Sequence, residues 1–79
     1  MNLSPKQAFE LRQAMVNYGL WCKYSDKATM AKSQKEYEEA KDIANDYHAA
    51  LNHRLKQLFD TDFSSICFAS AEYERKNNG

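Results

Sequence analysis

Residues 4–22, Ser-Pro-Lys-Gln-Ala-Phe-Glu-Leu-Arg-Gln-Ala-Met-Val-Asn-Tyr-Gly-Leu-Trp-Cys, decide how this chain is read. Ser4 followed by Pro5 and Gln7 has the form of a helix start. The serine is an N-cap, the proline suits the first helical position, and Gln7 completes an S-x-x-Q capping box. Apolar residues then recur at helical spacing, but along two stripes. Ala8, Leu11, Met15, Tyr18 and Cys22 form the first. Phe9, Val16 and Leu20 form the second, about 140° further round at ~100° per residue. An ordinary surface helix needs one apolar face, so the second must meet something.

Working outward, the helix runs from residue 5 to at least Tyr24. No glycine or proline between Ser25 and Ser33 marks its end. Gly19 lies inside it at a cost of about 1 kcal/mol against alanine, which a close helix–helix approach would explain. A second helix opens at Ser33, with Glu36 in S-x-x-E spacing and Glu36, Glu38 and Glu39 where the helix dipole favours acid. It spans about residues 34–59. One stripe runs Tyr37, Ala40, Ala44, Tyr47, Leu51, Leu55, Leu58, flanked by Ile43, and the opposite face is polar. Such a helix is about 39 Å long at 1.5 Å per residue. A compact chain of this length has a radius of gyration near ~12 Å. The spacing therefore predicts an elongated, all-α molecule: a long antiparallel helical hairpin plus a shorter C-terminal third helix.

Asp60-Thr61-Asp62 breaks the pattern and supplies N-caps for that third helix, over about residues 63–76. Phe63, Ile66, Ser70 and Tyr73 share one face, with Cys67 beside it and Phe68 on the opposite side. A short strand through Ser65 to Ala69 is the alternative. The tail Glu-Arg-Lys-Asn-Asn-Gly is polar and expected to fray.

Size and composition narrow the function classes. Seventy-nine residues make one domain, spanning 1–79, and so short a chain gains stability from a second subunit. Eleven basic and eleven acidic residues balance, so no global field selects nucleic acid or an anionic membrane. The N-terminus has no apolar run of signal-peptide type, and no stretch approaches the 18 apolar residues of a membrane span. A reduced, cytoplasmic protein is expected. Cys22 and Cys67 lie in neither a CxxC pair nor a zinc spacing, and Cys22 reads as a small buried hydrophobe. Their redox state stays open.

No catalytic constellation orders itself in the sequence. His48 and His53 are five residues apart and diverge on a helix, and neither has a glutamate three residues before it. No metal, cofactor or enzymatic activity is expected. The acidic stretch from Glu36 to Asp46 reads as a solvated helix face. Lys23, Lys27, Lys32 and Lys35 gather near the interhelix turn against Asp26 alone, a weak nucleic-acid signal without an arginine or a helix-turn-helix signature. A nucleic-acid regulator using those lysines, or an acidic mimic of a phosphate backbone, is the alternative function.

The apolar excess is the stronger signal. With the first stripe of helix 1 on helix 2, three occupants compete for Phe9, Val16 and Leu20. The chain's own helix 3, through Phe63, Ile66 and Tyr73, is the first candidate. A second copy, making a homodimer, is the next, and a different protein the third. Trp21, on a flank of the first stripe, and Phe68 complete the expected protein-binding set. The functional expectation is a small cytoplasmic interaction module, an adaptor, inhibitor or regulator of the kind found among bacterial and phage accessory proteins.

Overall fold

The computed structural model describes residues 2–78, and these form three helices: α1 (Pro5–Thr29), α2 (Gln34–Phe59) and α3 (Phe63–Asn78). Residues 65–69 are helical, so the strand alternative is not taken. The fold is all-α, an antiparallel α1–α2 hairpin with α3 joined to it only at its first turn.

The caps act largely as the spacing predicts. Ser4 Oγ accepts from Gln7 N–H at 3.1 Å while Ser4 N–H donates to Gln7 Oε1 at 2.9 Å, a complete capping box. At α2, Ser33 Oγ accepts from Glu36 N–H at 3.1 Å. The Glu36 carboxylate does not close the box on Ser33. It reaches one residue further back and accepts from Lys32 N–H at 3.1 Å, pinning the interhelix turn instead.

The seam between α1 and α2 is where the structure departs from expectation. The stripe of α2 holds from Ala40 onward: Ala40, Ala44, Leu51 and Leu55 are buried and Tyr47 and Leu58 half-buried, whereas Tyr37, its first member, is exposed beside the turn. On α1 neither apolar stripe is the seam. The buried residues are Ala14 and Ala28, with Trp21 half-buried between them, a seven-residue repeat lying between the two stripes. Glu10, Asn17 and Tyr24 interleave with it at three- and four-residue steps and are half-buried too. The reason is steric. The buried residues toward the turn end, Ala28 on α1 and Ala40 and Ala44 on α2, are all alanines, so this end of the hairpin closes up through small side chains. Tyr24 and Tyr47 then stack beside that contact, ring centroids 5.8 Å apart at 22°. At the open end Ala14 packs with Leu51 and Leu55, and Trp21 and Phe63 pack against that cluster. Both stripes are thereby left as flanks.

Helix α3 is placed by two devices. Asp60 adopts left-handed backbone geometry, φ 54° and ψ 40°, and ends α2. Asn52, two turns back on α2, accepts from Phe63 N–H through Oδ1 at 2.9 Å. Asp62 Oδ1 accepts from Ser65 N–H at 2.8 Å. The chain thus doubles back and starts α3 on the His48–Asn52 side of α2, where Phe63 meets Tyr18 and Trp21 at ring-centroid distances of 5.4 and 5.2 Å. Helix 3 therefore does not cover Phe9, Val16 and Leu20, the first candidate role given to it. It sits on the flank of the other stripe, because the turn geometry aims it there.

Beyond this first turn α3 leaves the hairpin. The molecule measures 46 × 38 × 15 Å, with a radius of gyration of 15.3 Å. Two packed helices lie ~8–10 Å apart, so the 38 Å dimension needs α3 to point away as an arm. The accessible surface is 6268 Å², against ~4,900 Å² for a compact chain of 9.2 kDa. Gly19 is exposed, and a Cβ built on it meets nothing within 4 Å. It mediates no close approach.

Candidate protein-binding surfaces

The hairpin presents two different apolar flanks. On the α3 side, Leu11, Met15 and Tyr18 of α1, Leu51 and Leu55 of α2, and Phe63 and Ile66 of α3 surround Ala14. They form a shallow groove of about 350 Å³ lined entirely by apolar and aromatic side chains. Met15 on its rim is 67% exposed. Ile66 at the groove's edge shares a face of α3 with Tyr73 at helical spacing, and Cys67 lies beside that face. Tyr73 is 68% exposed and Cys67 is a free, exposed thiol.

On the opposite flank stand Phe9, 54% exposed, Val16, 47% exposed, and the half-buried Leu20, with Ile43 of α2 exposed. Arg54 borders this face. Its guanidinium lies 5.8 Å from the centre of the Phe9 ring and pairs with Glu10 at 2.8 Å. Both partners of the pair are part-buried, so it locks the two helices at the open end and holds Phe9 against the hairpin edge. No apolar side chain of α3 reaches this side.

Trp21 has a different place from the other expected contact residues. It lies at the centre of an aromatic cluster, 5.9 Å from Tyr18, 4.6 Å from His48 and 5.2 Å from Phe63. It links all three helices and is used in internal packing. His48 is a half-buried boundary residue against the indole, and His53 is exposed. Phe68 is 68% exposed and sits on the face of α3 turned away from Ile66 and Tyr73.

The four lysines do not form a uniform positive surface. Lys23 and Lys27 flank the Tyr24 ring, their ammonium groups 5.7 and 4.9 Å from its centre. Asp26, Glu36 and Glu39 line the same recess as Lys27, beside Met30 and Ile43. Lys32 and Lys35 are exposed across the turn. Three carboxylates share that recess with one lysine, so its lining carries no net positive charge of the kind a phosphate backbone requires.

Among the described residues no group of three or more His, Cys, Asp or Glu side chains is gathered where it could hold a metal ion. No helix is long and apolar enough to cross a membrane. The carboxyl of Asp62 is held below the ordinary aspartate range, first by the Ser65 N–H it accepts from. That shift arises at the start of α3.

Two features escaped the sequence. Arg54–Glu10 had a signal, since both residues interrupt apolar positions near the open end of the hairpin. Asn52 as a cap for a different helix had none. No protein family, curated protein or solved structure matches the chain.

Proposed function

We propose that this protein is a protein–protein interaction module, an adaptor, inhibitor or regulator, and that Phe9, Val16 and Leu20 form a surface through which it grips another protein. One observation carries the reading. An apolar stripe at helical spacing lies on the flank opposite α3, and among the described residues no element covers it. Monomeric proteins seldom leave contiguous apolar surface open without an interaction to fill it. The stripe is bordered by the polar Arg54–Glu10 pair, the apolar-centre and polar-rim arrangement of a recognition surface. Burying one large apolar side chain fully contributes about 1.5–3 kcal/mol, so a few such residues suffice for a modest affinity. Phe68, exposed on the far side of α3, extends the set.

The test is the size of the native complex. The chain, tagged in the cells that make it, is fractionated by size beside a variant carrying Phe9→Ser and Val16→Ser. Both positions are half-exposed, so the variant keeps its helical content by circular dichroism. The wild type elutes in a complex with a second, stoichiometric protein and the variant elutes without it. Identical elution of two folded proteins refutes the reading.

A further inference from the structure

We infer that the α3-side groove is the seat of α3 from a second copy of this chain, so that two molecules exchange arms across a two-fold axis. This rests on the reading of the chain as an interaction module, but on a different surface from Phe9 and Val16. The argument begins with area. The chain exposes roughly 1,300 Å² more than a compact protein of its mass. A standard interface removes ~800 Å² from each partner. The excess is therefore larger than what one self-association of standard size removes from each partner.

The second argument is self-complementarity. The groove is lined by Leu11, Met15, Tyr18, Leu55, Phe63 and Ile66, without a charged group. Beyond the groove the arm carries Tyr73 on the same face as Ile66, 68% exposed. An apolar cleft and an apolar helix of matching chemistry on one chain, each uncovered, satisfy each other in a closed pair. The balanced charge of eleven basic and eleven acidic residues sets no net repulsion against it.

The third argument is the helix itself. α3 has sixteen residues, and none of residues 63–77 is buried in a single chain. Helices of this length are marginal in water unless an apolar face is packed. Its N-terminus is well capped by Asp62 and by Asn52, and its body has no tertiary partner. A second copy supplies one. The expected self-association surface thus moves from Phe9, Val16 and Leu20 to the opposite flank, where both halves of an interface are present on one chain.

Light scattering with sedimentation equilibrium tests this on the full chain and on Met15→Glu and Tyr73→Lys. Both residues are about two-thirds exposed in one chain, so neither substitution breaks the hairpin. The wild type is a dimer at micromolar concentration. Each variant alone is a monomer with unchanged α1–α2 circular dichroism, its dissociation constant raised at least ~tenfold. Mixing the two variants restores a dimer, because one groove then holds only native residues and the other pairs the new glutamate with the new lysine. A wild type at single-chain mass up to high micromolar concentration overturns the inference, as does a dimer that persists in both variants or a mixture that stays monomeric. None of these outcomes changes the Phe9–Val16 complex measurement, so the two readings fail separately.

Discussion

Phe63→Ala tests how α3 is held. Phe63 is half-buried and packs against both Tyr18 and Trp21. Partial burial of a phenyl side chain contributes about 1–2 kcal/mol. Each of the two aromatic contacts adds ~0.5–1.5 kcal/mol. The sum, about 2–5 kcal/mol, equals or exceeds what the Asn52 and Asp62 caps supply together, ~2 kcal/mol. The variant therefore releases α3 while leaving the hairpin folded, and a released sixteen-residue helix unravels in water. Two readouts follow, both at dilute protein where the arm has no partner to hold. Circular dichroism loses roughly a quarter of its helical signal, the share of α3 among the three helices. Hydrogen exchange accelerates in residues 63–77 and keeps its wild-type rate at Leu51 and Leu55. Equal acceleration in both helices refutes the reasoning, because it makes Phe63 part of one cooperative core. Unchanged exchange in α3 refutes it too, because the arm then has another anchor.

Other consequences are sharper in sign than in size. Gly19→Ala stabilises the chain by about 0.5–1 kcal/mol, since the position is helical, open on all sides and without a positive φ; thermal melts show a higher midpoint. Leu51→Ala, at the most tightly packed large residue, costs about 2–4 kcal/mol; for a core of four alanines and two leucines this is most of the stability, and urea titration finds the variant largely unfolded in buffer. The Asp62 carboxyl is depressed in the folded chain, so its stabilisation of α3 is present above the ordinary aspartate range and is lost as pH falls through the lower folded value. Exchange protection at Ser65 and Ile66, corrected for intrinsic rates, falls in that acidic window in the wild type and stays flat in Asp62→Asn, which keeps an acceptor without a charge.

Local signals in the sequence translated directly into structure. Ser4-Pro5-x-Gln7 specified a capping box that forms with both of its hydrogen bonds, because every atom involved lies within four residues. The α2 stripe was legible because its other face is charged, leaving one way to turn the helix. α1 has no such constraint. Apolar residues span so much of its circumference that hydrophobicity alone does not set its rotation. Ala14 and Ala28, fourteen residues apart, hold the answer, matched on α2 by Ala40 and Ala44, and their signal is small size rather than hydrophobicity. The direction of α3 depends on a left-handed Asp60 and on Asn52 reaching an amide eleven residues ahead. A side chain that caps a helix other than its own leaves no periodic trace. Of the residues proposed for contact, Phe9, Val16 and Phe68 are exposed and Leu20 half-buried, whereas Trp21 is packed within the chain.

The central claim is that the flank of Phe9 and Val16 is a contact surface. A photoreactive side chain placed at position 9, and separately at Asp46 on the charged face of α2, tests it in the cells that make the protein. The account predicts one adduct of defined mass from position 9 and none above background from position 46. Absence of an adduct from position 9, or the same diffuse adducts from both, contradicts it.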